Sequence, residues 1–591
     1  MGRRVIKPAL MIMISAALFG CTSPLREAIS ELVKEYSTPT AIAYFSGEKS
    51  ESGLLTNNSG IAENSKIIVI FSESMNTGSL VIGGNTAEES DGGLWSETSA
   101  VNDTLTLTPA SSWTGGSGRT LTVACSDLED YAAQINVEFG VITGVIYVHA
   151  EDGSNTFPGT SDKPKATITE AVKIADYLYA AAEVHVAEGT YRLTEELQMT
   201  EGISLYGGYS ADDWQLREAD PAWAVSGDGT SAHPTILTGA NVSFVIHCPN
   251  LVSQITIDGF DIDGGTGDST TGLYCENSSP VLSGLKISGG LGDSSTAVTL
   301  TDSSNAIVNK CSITGGTNGW SGGMLINASS PHVQDSIIGG GTSGTDGYTF
   351  GIYCIDSTPV ISGCKITGGN AWGQATGISN TAGSDSVIFN NTINGGTSSS
   401  GSATGISCSA SSPVIRNNTI CGGNSTSPDG TDGAEGLFQY NNSNPVIENN
   451  IIFTILGNIR IGVNAETGSA PASLKNNDIF ETPDALYSVI AGSATNYTSI
   501  GAMETALGSS ASGNIKIDLV DGFDTFFTDE ADNWHLTAAA DVNVRQGGLD
   551  GAAAAWPFTV DKDGTARTNS TGDSPTNIGA GGWSMGAFEK D

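Results

Sequence analysis

The sequence predicts an all-β chain whose main body is a right-handed parallel β-helix. Two observations predict it. An eleven-residue string recurs as ITIDGFDIDGG (255–265), PVLSGLKISGG (280–290), AIVNKCSITGG (306–316), PVISGCKITGG (359–369) and PVIRNNTICGG (413–423). Counting every copy, the starts lie 25, 26, 25, 28, 27, 27 and 32 residues apart. A second piece recurs between them, as in GLYCENSS (272–279), GIYCIDST (351–358) and GISCSASS (405–412). Each period of about 25–28 residues therefore holds at least two short strands divided by turns, as one coil of a solenoid requires. Residues one period apart then stack at about 4.8 Å. Propeller blades need a longer period, and no LxxLxL pattern supports a leucine-rich horseshoe.

The N-terminus reads as an address. Arg3, Arg4 and Lys7 precede an apolar run at 9–19, too short for an ordinary membrane span. The run ends in Leu18-Phe19-Gly20-Cys21, which resembles the lipobox of bacterial lipoproteins. The resemblance implies a signal peptide over 1–20, lipidation of Cys21 and a membrane-bound tether over 21–38. An ordinary cleaved signal peptide is the alternative. Thr22 comes next after Cys21, which by the same resemblance implies the outer membrane and not inner-membrane retention.

Residues 39–140 read as a small β-sandwich, with strand-like runs at Lys66–Phe71 and Thr104–Thr108. The strings IIVIFSESMN (67–76), LTLTPASSW (105–113) and RTLTVACSDLEDYA (119–132) resemble bacterial Ig-like domains of surface proteins. That resemblance implies a spacer or adhesion module.

Residues 144–250 are expected to hold an N-terminal helical cap and the first coils. Thr167 and Glu170 have capping-box spacing, and Ile168, Ala171, Val172, Ala175 and Leu178 share one helical face. Gly159-Thr160, Pro164 and Gly189-Thr190-Tyr191 resemble the caps of bacterial pectin-lyase-like β-helix proteins. The repeats are expected over 251–515. In them Leu282, Ile361, Ile388 and Ile415 point inward with Ile287, Ile366, Ile393 and Ile420, and Asn390/Asn391, Asn417/Asn418 and Asn449/Asn450 form a ladder at one turn. Residues 516–591 resemble a closing segment of exported β-helix proteins, carried by Asp561, Asp563, Gly564, Arg567 and the final Gly586-Ala587-Phe588-Glu589.

With 24 basic against 64 acidic residues, the formal charge is −40. Nucleic acid is therefore excluded as a partner, and a polyanionic polysaccharide would be repelled without bridging cations. The eight cysteines after Cys21 form no CxxC pair and keep to the repeat, so they read as small buried apolar residues. The six histidines are scattered, with no HxH or HExxH pair.

Many β-helix proteins cleave polysaccharides. The polygalacturonase-like hydrolases carry G-H-G and R-x-K motifs that are missing here. The one Asp-Asp pair, Asp212-Asp213, lies outside the repeats. From 255 to 460 the basic residues are Lys286, Lys310, Lys365, Arg416 and Arg460. Lys286 aligns with Asp261 one coil earlier, which suits an ion pair. Arg416 is the candidate base for a lyase, against the plainer role of a solvated strand residue.

The variable segments after the Gly-Gly turns carry Asp268, Asp293, Trp320, Tyr348, Phe350, Trp372, Asp429 and Asp432. Stacking brings them to one edge. Trp320 and Trp372 are expected at nearly matching places two coils apart, about 10 Å, where their faces would receive successive sugar rings. Asp268 and Asp293 align in adjacent coils, and two close carboxylates favour a shared cation, so Ca²⁺ is the candidate ion there and at Asp561 with Asp563. No other cofactor is implied. The expected function is an envelope or surface lipoprotein that presents a rigid face for adhesion or glycan binding without catalysis. A polysaccharide lyase or glycoside hydrolase, and a purely structural envelope protein, are the alternatives.

Overall fold

The computed structural model describes residues 39–46, 52–219, 221, 231–239, 242–428, 432–491 and 493–516. Cys21, Asp429, Asp561 and Asp563 lie outside these residues, as do the tether and nearly all of the closing segment. The chain divides into two compact units. One runs to Gly144 and adds Thr156–Lys163 and Tyr177–Tyr179; the other takes Val145–Asn155, Pro164–Asp176 and the chain from Ala180.

The described residues of the first unit form two sheets. One is antiparallel, in the spatial order Ser52–Leu54, Ala41–Ser46, Ile67–Phe71, Thr104–Leu107, Leu94–Ser96. The other orders Gly60–Ala62, Ala132–Ile142, Gly116–Ser126 and Val81–Gly83, with the first pair parallel. Ile67, Val69 and Phe71 alternate inward, as a half-buried strand requires. The buried Asp103 closes a turn by accepting backbone N–H bonds from Thr98 at 2.7 Å, Ser99 at 2.7 Å and Ala100 at 2.8 Å.

The second unit is a parallel β-helix. Among the described residues, three sheets of 13, 11 and 12 strands run along it, and the chain visits them in turn once per coil. The described strands of these sheets pair in parallel, except in the hairpin of Ala485–Ala491 with Ser493–Tyr497. Each eleven-residue string holds two strands, such as Val360–Ser362 and Lys365–Thr367, and the intervening piece holds the third, such as Thr349–Ile355. Ile361, Ile388 and Ile415 stack in register and are fully buried, as are Ile366, Ile393 and Ile420. The helix Ile168–Leu178 buries its predicted face, and its start is capped by Thr167 Oγ1, which accepts from the Glu170 N–H at 3.4 Å. Within 251–515 the last residues depart from regular coils: a hairpin gives way to the helix Ile500–Leu507 and then to the short strand Ala511–Ser512.

Each turn of the coil has its own chemistry. Between the first and second sheets, residues such as Asn390, Asn417, Asn449 and Asn476 take positive φ, which asparagine tolerates. The residue after each points inward and bonds to the next coil. Asn391, Asn418, Asn450, Asn477 and Asn514 thus form one continuous amide ladder, two rungs longer than the sequence suggested. Between the third and first sheets a serine ladder runs through Ser278, Ser304, Ser329, Ser357 and Ser384, each backbone N–H donating to the next hydroxyl at 3.0–3.2 Å. The third turn is the Gly-Gly pair. At Gly369 φ is +82°, and a Cβ there would run into the carbonyl of Gly341 one coil earlier. The eight described cysteines are all buried and none is in a disulfide.

Candidate functional site

The Gly-Gly turn leads into segments that differ in length from coil to coil. A narrow parallel ladder aligns their starts, through Thr266, Leu291, Thr317, Thr342, Asn370, Thr397, Asn424 and Leu456. Beyond that ladder each segment is free to vary, because the coil resumes its register at the third sheet.

At the centre of this edge lies a hollow of about 350 Å³, lined by Asp346, Tyr348, Trp372, Gln374, Ser400, Ser402, Asp432 and two glycines. The backbone around it is pinned. The Gly373 N–H donates to the Gly347 carbonyl at 2.9 Å, Trp372 N–H to Ser343 Oγ at 3.1 Å, and Ser400 N–H to the Trp372 carbonyl at 2.7 Å. Ser398 Oγ donates to the Gly373 carbonyl and accepts from the Gly401 N–H at 2.8 Å. On this backbone the two rings stand open to solvent, Tyr348 at 48% and Trp372 at 41% exposure. Asp346 is exposed, and Asp432 is half-buried with its Oδ2 accepting from Ser427 Oγ at 3.1 Å. Among the described residues no lysine or arginine lines the hollow.

The structure divides the four predicted aromatic residues into two groups. Ser294 pairs with Trp320, whereas the register Thr349 to Ala375 leaves Trp372 two residues short of the corresponding place, in the loop. Trp320 instead opens a strand and packs on Phe350, with ring centroids 5.6 Å apart, and on Tyr353 at 6.2 Å. Phe350 and Tyr353 are themselves stacked at 5.0 Å. Tyr348 and Trp372 belong to the hollow; Trp320 and Phe350 belong to the outer face of the third sheet.

Along that face, Phe350, Thr376, Thr404 and Glu435 occupy successive coils in register. Sequence reasoning missed Glu435. Its half-buried side chain accepts from Asn464 Nδ2 at 2.7 Å. Burial pushes its carboxyl up to about 7, the negative charges of Asp432 and Glu466 add to the rise, and the Asn464 amide opposes it. The available signal was its place one coil after Thr404, at an outward position three residues from Asp432.

The remaining candidates lie elsewhere. Arg416 sits in the first sheet, away from the hollow-lining segments, with Nε 3.1 Å from Glu448 Oε2; Ser473 Oγ donates to the other Glu448 oxygen at 2.6 Å. Lys286 Nζ lies 2.9 Å from Asp261 Oδ2, in the register expected. Asp213 Oδ1 accepts from the Gln215 N–H at 2.9 Å, a turn role. Asp268 and Asp293 are exposed and adjacent in register. Among the described residues no three His, Cys, Asp or Glu side chains converge as metal ligands. A second aromatic group stands in the first coils. There Arg217 lies 5.2 Å from the Tyr206 ring centre and 5.5 Å from that of Tyr209, donates to the Gly207 carbonyl at 3.0 Å and pairs with Asp258. Its cationic end thereby ties the loop after Ile203–Tyr209 to the sheet.

One family model agrees with the β-helix fold. Residues 342–479 match a family described as a right handed beta helix region, and 151–321 match a family described as a protein of unknown function, DUF1565. No curated protein matches the chain. Among solved structures, the pectin methylesterase from Aspergillus niger is similar at 12% identity, over 68% of this chain and 93% of that one, with a TM-score of 0.22. The enzymatically active domain of bacteriophage CBA120 tailspike protein 2 is similar at 14% identity, over 57% and 54%, with a TM-score of 0.28. The GH136 lacto-N-biosidase from Eubacterium ramulus is similar at 12%, over 55% and 64%, with a TM-score of 0.25. At such values these likenesses carry no argument about activity.

Proposed function

We propose that this chain is an exported envelope protein, lipid-anchored at Cys21 in the outer membrane, that binds glycans at the hollow between Tyr348 and Trp372. In this reading the first unit is an Ig-like spacer and the β-helix is a rigid adhesive body. One observation carries it: two exposed aromatic rings share a hollow with amide, hydroxyl and carboxylate groups, on a pinned backbone. Aromatic faces take the apolar face of a sugar ring, and convergent polar groups fix its hydroxyls. Calcium at Asp268 and Asp293 or at Asp561 and Asp563 stays part of the proposal, to be tested by adding and chelating the ion. The test of the function is a glycan array probed with the full chain, scored for retention and for cleavage. Retention without cleavage supports the reading. Absence of retention across the array sinks it and leaves the purely structural role.

A second reading, glycoside hydrolysis, is favoured by Glu435. A carboxyl that burial raises to about 7 suits the general acid of such a hydrolase, with Asp432 three residues earlier as the candidate second carboxylate. Cleavage by the wild type that Glu435→Gln abolishes would establish it. Cleavage unaffected by that change would move the chemistry elsewhere, with Arg416 the next residue to replace.

A further inference from the structure

We infer that the ligand of the hollow carries a protonated amine, so that the glycan taken there contains free amino sugars. This inference rests on the glycan-binding reading and narrows it. Asp346 and Asp432 bring two carboxylates to a hollow of about 350 Å³ whose described lining holds no lysine or arginine. A neutral sugar gains no charge attraction from them, and a uronate is repelled. An ammonium group satisfies their charge. The same group is attracted to the ring faces of Tyr348 and Trp372, both well exposed, because an aromatic face is the negative end of its quadrupole. Gln374, Ser400 and Ser402 remain for the hydroxyls of the sugar. The far field acts in the same direction: a chain of formal charge −40 concentrates cations at its surface and turns polyanions away.

The hollow stands at the low end of ligand-site volumes, about 300–1,000 Å³, so it holds one or two sugar rings and not a long stretch of polymer. Specificity then resides in the groups those rings carry. The carboxylates and the ring faces together favour the charged amine over its neutral acetamide.

The test is calorimetric titration of the full chain with the β-1,4-linked glucosamine tetramer and with its fully N-acetylated counterpart, which share length and linkage and differ in charge. Spermidine, an amine without a sugar ring, is the third ligand. The glucosamine tetramer is expected to bind at least tenfold more tightly than either of the others. Its affinity is expected to fall with added salt and as pH rises through the amine pKa. Asp346→Asn and Asp432→Asn are expected to narrow the gap between the two tetramers, with unchanged melting temperature confirming that each variant folds. Equal or tighter binding of the N-acetylated tetramer overturns the amine while leaving glycan binding intact. Binding of spermidine as tight as that of the glucosamine tetramer retains the amine and overturns the glycan. Binding of none overturns both.

Discussion

The side-chain oxygen of Asn418 accepts two hydrogen bonds from Asn391 one coil earlier, from its backbone N–H and from its amide, each at 3.0 Å. Asn418 in turn donates to the carbonyls of Ile388 and Arg416, both at 2.9 Å, and to Asn450 Oδ1 at 3.1 Å. One fully buried amide thus satisfies backbone groups in its own coil and the one before, and passes the bond to the next. Asn418→Ala removes that partner from two buried carbonyls and from both the backbone N–H and the side-chain amide of Asn391. The expected loss is about 2–3 kcal/mol in denaturant unfolding, since an unsatisfied buried group costs about 1–3 kcal/mol. A change below about 0.5 kcal/mol would show that the ladder is incidental to stability.

Arg416 is expected to behave as a strand residue with an ion-pair partner. Its guanidinium and the Glu448 carboxylate are both largely shielded. Arg416→Met is expected to cost about 1 kcal/mol, as partly exposed ion pairs do, and to leave glycan retention unchanged. Lost retention at preserved melting temperature would return Arg416 to the functional residues.

Asp103 makes the first unit sensitive to acid. Burial alone would raise its carboxyl, but the N–H groups of Ser99, Thr98 and Ala100 and the Thr104 hydroxyl hold it well below the usual range. A depressed acid contributes stability above its ordinary value of 3.8, lost as pH falls through the folded value. Asp103→Asn is therefore expected to lower the melting temperature of this unit at pH 7. That difference should shrink steadily below pH 4 in calorimetric scans; a difference independent of pH would contradict the assignment.

Glu435 has the opposite sign. Its carboxyl titrates at about 7 in the fold against an ordinary 4.5. The unfolded chain ionises first, so the contribution of Glu435 to stability is full below 4.5 and is lost as pH rises through about 7. Glu435→Gln is expected to flatten that segment of the stability profile, measured by urea unfolding from pH 4 to pH 8. A profile unchanged by the substitution would place the titration elsewhere.

The legible part of the fold came from periodicity. Ile361, Ile388 and Ile415 share one place in their strings, and the stack they form needs nothing beyond the repeat. The Asn391 and Asn418 rungs were legible for the same reason, and Asn477 carries the same Asn-Asn signal in ASLKNNDIF (472–480); Asn514 was not legible, because a hairpin and the helix Ile500–Leu507 interrupt the period before it. Serine ladder residues such as Ser329 and Ser357 stood in plain view within the recurring pieces, but a serine at a turn has many uses. The edge was harder. Trp320 and Trp372 each come after a Gly-Gly turn, and only the register of the third sheet reveals that one opens a strand while the other stays in the loop. Glu435 was hidden because its raised titration comes first from burial, which stacking creates, with the charges of Asp432 and Glu466 adding to it.

The most direct test of the central claim compares glycan retention by the wild type, by Trp372→Ala combined with Tyr348→Ala, and by Trp320→Ala, on the array glycan the wild type retains best. The division of the aromatic residues predicts at least a tenfold loss for the double variant, or about 1.4 kcal/mol, and none for Trp320→Ala. Full retention by the double variant, or loss with Trp320→Ala alone, would contradict it and move the binding site from the hollow to the outer face of the third sheet.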